Sequence, residues 1–339
     1  MKAIFLVRTG DPEKAFEVRE APVPTFGEEE ILIHVEGFGL NFADIVAREG
    51  MYRETPPMPC VIGYDVVGRI AACGSRVKKL KVGDRVAALT RFGGYSEYAV
   101  TSSEAAVVIP DSLSISMATS LATQYCTGFY CAAVAANLRA NESVIVHSAA
   151  GGVGFALLQY ALHKNCQVIA TTGSQSKVDF LKQHGAHEVI NSSAVNFYDA
   201  IQSSGMRNDI DVIFDALGGS FVSKGIRLLA PGGRIVCYGA SQMTGTNFFN
   251  RLVTGLQFGF YHPAQFMMPS KSLMGVNMLK IADKRPAIIQ HCLEEVIALF
   301  KENVFVPLEG KQLPATKIAE AHRFLQSRKA TGKVALVWD

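Results

Sequence analysis

The 339-residue chain has no stretch of about 18 uncharged apolar residues, the least a transmembrane helix needs. Its first residues, Met1-Lys-Ala-Ile-Phe-Leu-Val-Arg8, are too short an apolar stretch for a signal peptide and alternate like a strand. Seven cysteines stand at 60, 73, 126, 131, 166, 237 and 292, with no C-x-x-C pair among them. An odd number without that spacing suggests neither a disulfide framework nor a thiolate metal site, so the cytoplasm is the expected compartment. Charge of one sign is scarce too: 33 Lys and Arg against 30 Asp and Glu leave a net +3. The basic residues are scattered, which argues against nucleic acid as a partner. There is no internal repeat and no low-complexity segment. With 49% hydrophobic and 19% charged residues, the length suffices for two soluble globular domains.

What is there is concentrated between Glu142 and Lys177. Glu142-Ser-Val-Ile-Val-His147 is an apolar run fit for a buried strand. Ser148-Ala-Ala-Gly-Gly-Val-Gly154 follows, giving A-x-G-x-x-G at Ala149, Gly151 and Gly154, with Gly152 and Val153 inside the turn. Val153, Ala156, Leu157, Tyr160 and Ala161 then recur at helical spacing, and Gln167-Val-Ile-Ala-Thr-Thr172 reads as the next parallel strand. Such a turn lets backbone approach a pyrophosphate, which the helix N-terminus attracts with free N–H groups and its positive dipole end.

A carboxylate about 20 residues past the fingerprint would hydrogen-bond the ribose 2′-hydroxyl of NAD. Here Thr171, Thr172, Gly173, Ser174, Gln175, Ser176 and Lys177 occupy that region, with no carboxylate. Hydroxyls and an ammonium suit a 2′-phosphate, so the expected cofactor is NADPH. The competing reading makes Ser174 and Ser176 helix caps and Lys177 a surface charge.

Residues 1 to about 110 read as mostly β, with strands at 31–35, 60–71, 83–89 and 95–100 between Gly, Pro and Asp turns. From about 113, strands at 142–147, 167–172, 210–214 and 234–238 alternate with helices, which implies an α/β, doubly wound parallel sheet. Helices follow at 286–302 and 316–328, and 332–337 closes as a strand. The segment 242–270 is rich in Phe and Met: Phe248, Phe249, Phe258, Phe260, Tyr261, Phe266, Met243, Met267 and Met268. Three readings stand for it: buried core or oligomer interface, a lid over an apolar substrate, or peripheral contact with a membrane surface.

Taken together, Gly39-Leu-Asn-Phe-Ala-Asp-Ile45, Gly63-Tyr-Asp-Val-Val-Gly68, Val82-Gly-Asp-Arg-Val86, Gly94-Tyr-Ser-Glu-Tyr-Ala99, the glycine turn and Gly332-Lys-Val334 are specific in order and spacing. On them the chain resembles a zinc-independent medium-chain dehydrogenase/reductase of the quinone oxidoreductase type. Asn41–Gly50, His147–Gly154 and Leu273–Leu279 are similar to the vesicle amine transport protein homologue branch. The resemblance implies a GroES-like, β-rich catalytic domain over 1–124 and 272–339, with a Rossmann cofactor domain over 125–271. It also implies an active site in the cleft and a homodimer formed through the cofactor domains.

Zinc members of the superfamily place Cys, His and Cys on a catalytic metal. Against them this chain matches Gly39, Tyr64 and a position near Thr123, and the four-cysteine structural lobe is missing. Without a Lewis acid, alcohol oxidation is disfavoured and reduction of an electrophilic acceptor is expected. The resemblance also puts Asn41 and Thr127 at the nicotinamide and its ribose, where a turn residue and a helix cap are the competing readings. It carries Tyr238 beside the nicotinamide, the backbone of Val276 and Asn277 to its carboxamide, and Arg328 to a cofactor phosphate or merely to a helix dipole. One departure is Asn191-Ser192, where many relatives have Tyr after the Asn. Tyr52 matches the proposed acid of enoyl-thioester reductases, and Tyr64 is the second candidate proton donor; half-buried packing is the plain alternative for both.

The expected function is an NADPH-dependent reductase of quinones or α,β-unsaturated carbonyls. An enoyl-thioester reductase is the alternative within enzymes, and a non-catalytic NADPH-binding protein that contacts membranes is the alternative outside them.

Overall fold

The computed structural model describes residues 1–203, 209–245 and 248–338. The chain divides into two units, Met1–Cys126 with Met278–Asp339, and Thr127–Asn277.

In the first unit the strand Glu30–Gly39 is the hub of a seven-stranded sheet. It runs antiparallel to Asp65–Cys73, Tyr98–Ser102 and Ala335–Val337. Its inward residues Ile31, Ile33, Val35 and Phe38 join Val66, Ile70, Val86 and Leu336 in one buried core. Each such side chain contributes roughly 1.5–3 kcal/mol on leaving water. Lys2–Leu6, Phe16–Glu20 and Cys60–Val61 form a second, three-stranded sheet. The C-terminal strand has a specific consequence. Ala335 pairs opposite Gly39, so Lys333, two residues upstream, arrives at the end of the strand that leads into Asn41.

Among the described residues the second unit holds six parallel strands. Their spatial order is Glu188–Asn191, Gln167–Thr172, Ser143–Val146, Ile210–Asp215, Leu229–Cys237, Ser272–Gly275. By position along the chain this is 3-2-1-4-5-6, the doubly wound dinucleotide-binding order. Ile145, Ile169, Ile190, Ile213 and Ile235 line up as one core layer across five strands. Strands covered on both faces read as continuous apolar runs, which is why Ser-Val-Ile-Val and its neighbours are legible in sequence.

Two sequence expectations need correction. The segment Ser272–Gly275 pairs with Arg234–Cys237 as the sixth strand, so residues 272–277 belong to the second unit, and the second boundary stands at 277/278 instead of 271/272. A four-residue edge strand carries too little pattern to be read. Thr127 does not cap a helix start: it lies within the helical turn Cys126–Phe129.

Candidate active site

The order reverses between Ser143–Val146 and Ile210–Asp215, and at such a switch point the carboxyl ends of the strands leave an open crevice. The turn Ser148–Gly151 sits at this place. Ser148 takes φ +53°, a left-handed conformation rare for a non-glycine residue. Ala149 N–H donates to Thr171 O at 3.0 Å, and Gly151 N–H to Ser148 O at 2.8 Å, which winds the turn tightly. Gly154 is obligatory, since a Cβ there would stand 2.4 Å from Ser148 O. The helix Gly152–His163 then starts from Gly151 with no side-chain cap. Its first-turn amides, at Gly152, Val153 and Gly154, lack intrahelical partners and suit an anion.

At the end of the neighbouring strand, Gly173 is exposed and Ser174 Oγ lies 2.8 Å from Ser176 Oγ. Lys177 is half-buried, and burial lowers its pKa. Asn191 Nδ2 donates to Gln175 Oε1 at 3.0 Å, tying the third strand to this loop.

Further along the sheet edge, Asp215 accepts from Leu217 N–H at 3.2 Å and Gly218 N–H at 2.8 Å, and burial pushes its pKa up to about 6. Tyr238 N–H donates to Asp215 O at 3.0 Å, and the buried Tyr238 hydroxyl has no hydrogen-bond partner among the described residues. Val276 N–H donates to Cys237 O at 2.9 Å, while Asn277 is exposed. The Phe- and Met-rich segment packs here through Phe258, whose ring would be 2.5 Å from a Cβ on Gly218. Of the other described side chains, Phe249, Leu252, Leu256, Phe260, Met267 and Met268 are exposed and not buried core, Phe260 to 87%. Residues 246–247 of that segment lie outside the described residues, as does the side chain of Phe248.

The first unit contains a buried polar cluster that sequence reasoning missed. Asp65 and Lys333 are both fully buried, with Lys333 Nζ 2.7 Å from Asp65 Oδ2. Asp65 also accepts from Asn41 Nδ2 at 2.8 Å, from the Gly39 N–H at 2.9 Å and from the Thr123 hydroxyl. Lys333 donates a second bond to Asn41 Oδ1 at 2.6 Å. Asn41 N–H in turn donates to Asp44 Oδ2 at 2.7 Å, at the start of the helix Phe42–Arg48. Burial is the main cause that raises the Asp44 carboxyl to about 8, with the Asp65 charge adding to it.

Tyr52 and Tyr64 meet edge to face at 5.8 Å between ring centroids, and Phe92 lies 5.3 Å beyond Tyr64. Burial pushes Tyr52 up to about 12 and Tyr64 higher still, so both remain phenols at neutral pH. The Tyr64 hydroxyl is buried without a partner among the described residues. The helix Met278–Lys284 is tied to this region: Lys280 pairs with Glu54 at 2.9 Å and Asp283 with Arg91 at 2.6 Å. Arg328, in contrast, is exposed just past the helix Ile318–Gln326 at φ +59°.

This architecture has known counterparts. The model of the alcohol dehydrogenase GroES-like domain matches residues 27–111, and that of the zinc-binding dehydrogenase matches 152–300. Human quinone oxidoreductase is 31% identical over 99% of this chain and 98% of its own length. The chain belongs to the medium-chain dehydrogenase/reductase family, in its zinc-independent quinone oxidoreductase type. It is an oxidoreductase of that family. The rat synaptic vesicle membrane protein VAT-1 homologue is likewise 31% identical, over 99% of this chain and 84% of its own. Among solved structures, a mycobacterial protein complexed with NADPH has a TM-score of 0.84 at 25% identity, covering 99% of both chains. The CurK enoyl reductase has a TM-score of 0.85 at 26% identity, covering 100% of this chain and 99% of its own.

The family's zinc does not fit the residues present. Gly39 supplies no ligand atom, and a Cβ there would stand 2.2 Å from Lys333 Cε and 2.4 Å from Asp65 Oδ1. The volume a ligand side chain would need is filled by a buried lysine, whose ammonium repels a divalent cation. Among the described residues no group of three or more His, Cys, Asp and Glu is placed to hold a metal.

Proposed function

We propose that the chain is an NADPH-dependent reductase that transfers a hydride directly to a quinone or an α,β-unsaturated carbonyl, without metal or flavin. The observation that carries this reading is the tight glycine turn at the switch point, followed by a strand end with hydroxyls and Lys177 in place of a carboxylate. The quinone oxidoreductase relative and the NADPH-bound mycobacterial structure support it.

In this reading the bound coenzyme supplies the hydride from its nicotinamide ring. Gly152, Val153 and Gly154 hold its pyrophosphate through backbone N–H groups and the helix dipole, while Ala149 and Gly151, whose N–H groups are spent on Thr171 O and Ser148 O, shape the turn that the pyrophosphate approaches. Gly173, Ser174 and Lys177 take the 2′-phosphate, with Arg328 as a further cation for a phosphate. Tyr238, Thr127 and the backbone of Val276 and Asn277 orient the nicotinamide and its ribose, while Asn41, held by Asp65 and Lys333, acts as a positioning residue of the first unit. Tyr52 or Tyr64, protonated at neutral pH, donates to the oxygen on which negative charge develops. A quinone needs little such help, so positioning carries most of its reduction.

A second reading is an enoyl-thioester reductase, favoured by the likeness to the CurK enzyme. We also propose a homodimer built on the second unit. Its edge strand Ser272–Gly275 and the exposed apolar residues of the helix Phe248–Gln257 are surfaces that a second copy would cover. If the protein instead binds NADPH and membranes without turnover, the same apolar face meets lipid.

The test is paired titration with NADPH and NADH, then turnover with 9,10-phenanthrenequinone. Tight NADPH binding with turnover that resists 1,10-phenanthroline is the expected result. Binding without turnover on the quinone points to the enoyl or the non-catalytic reading, and a preference for NADH overturns the role given to Ser174 and Lys177.

A further inference from the structure

The Asp65 carboxylate fixes the direction of every hydrogen bond it receives. An ammonium and an amide N–H have no lone pair to offer, so Lys333 Nζ, Asn41 Nδ2 and the Gly39 N–H must donate to it. Asp65 Oδ2, which takes Lys333 and Asn41, also bonds Thr123 Oγ1. Oδ2 already accepts from the Lys333 ammonium and the Asn41 amide, and a third donor to it is the threonine hydroxyl. Its single proton is thereby spent inward, and only its lone pairs remain for any other partner.

Thr123 is also where this cluster reaches the surface. Asp65 and Lys333 are fully buried and Asn41 is 8% exposed, whereas Thr123 is only partly buried. Asn41 has both ends of its amide engaged, by Asp65 and by Lys333. Thr123 stands in the five-residue turn Leu121–Tyr125, wound as a π-helix, a widening that recurs at functional positions.

We propose that Thr123 is a ligand-binding residue of the first unit whose hydroxyl acts only as an acceptor, so that the ligand group it meets is an N–H or O–H donor. This rests on the reductase reading above. It follows that Thr123 does not hold the carbonyl oxygen of a quinone or enone; that oxygen falls to a donor such as Tyr52 or Tyr64. Two groups in the reaction share the required chemistry: the carboxamide N–H of the nicotinamide and the hydroxyl of the reduced product.

Four probes on the full chain separate them. They are NADPH, its 3-acetylpyridine analogue (amide nitrogen replaced by methyl), catechol and 1,2-dimethoxybenzene, the last two as inhibitors of quinone reduction. If the carboxamide is the donor, Thr123→Val weakens NADPH about tenfold and leaves the analogue unchanged. If the product hydroxyl is the donor, Thr123→Val weakens catechol by about the same factor and leaves the dimethoxy compound unchanged. Thr123→Ser keeps the hydroxyl and restores the discrimination, and Thr123→Ala serves if the valine variant does not fold. Loss that is equal across all four probes, or absent from all four, overturns the proposal. A wild-type protein that binds neither coenzyme form and reduces no acceptor defeats the reductase reading instead.

Discussion

Lys333 Nζ lies 2.7 Å from Asp65 Oδ2, and neither side chain reaches solvent. A buried pair of this kind is costly to break and cheap to replace as a whole. Lys333→Met alone is expected to lower stability by about 3–5 kcal/mol, because Asp65 is left as an uncompensated buried charge. Combining it with Asp65→Asn should recover most of that loss. Urea midpoints of the two variants check this; a double variant as unstable as the single one would contradict it.

The stability profile with pH should fall on both sides, for different groups. Burial holds His147 down to about 3, and burial with the Arg48 charge keeps His322 well below the ordinary imidazole range. Both are neutral in the fold, so their contribution is present above the unfolded value of about 6.5 and lost as pH falls. Asp44 behaves oppositely. Its carboxyl, raised to about 8, binds a proton that the unfolded chain has released, so stability declines as pH rises from about 4 toward 8. Asp44→Asn keeps an acceptor for the Asn41 N–H and should flatten the alkaline side alone, as read from thermal midpoints across that range.

Gly154→Ala is expected to damage the nucleotide turn without unfolding the second unit. The added Cβ would press on Ser148 O and on Ala149 Cα, at 2.4 and 2.8 Å. Strain of about 1–3 kcal/mol at the turn corresponds to a loss of about tenfold or more in NADPH affinity. Fluorescence titration beside a circular dichroism spectrum tests it, and unchanged affinity would count against this turn as the pyrophosphate site.

Lys177→Glu should shift coenzyme preference toward NADH by about ten- to a hundredfold, since a charge-assisted bond to the 2′-phosphate is replaced by repulsion. The ratio of kcat/KM with the two coenzymes reads it directly. If the ratio does not move, Lys177 is a surface charge, as its competing reading holds.

Leu252→Glu with Leu256→Glu places two charges on the exposed apolar face of the helix Phe248–Gln257. Sedimentation should change from dimer to monomer with little change in melting temperature. Were the wild type a monomer that co-sediments with liposomes, and the variant did not, the membrane reading of this face would replace the dimer.

The nucleotide-binding half was legible because its signals are local. A buried strand, a turn that only glycine fits at Gly154, and the residues after the next strand all lie between Glu142 and Lys177, within reach of pattern reasoning. The absence of a carboxylate before Lys177 was just as local. The edge strand Ser272–Gly275 was not legible, since four residues paired on one side carry no period.

Sequence by itself determined the alternation of strands and helices, the glycine turn, the lack of metal ligands at Gly39, Tyr64 and Thr123, and the family. It even displayed both halves of the central pair, Gly63-Tyr-Asp65 and Gly332-Lys-Val334, as separate motifs. Only the tertiary structure decided that these two charges meet, across a separation of 268 residues. Burying an ion is tolerable only where an opposite charge and further donors are waiting. That condition is set by strand pairing at Gly39 and Ala335, and no local stretch of the chain carries it.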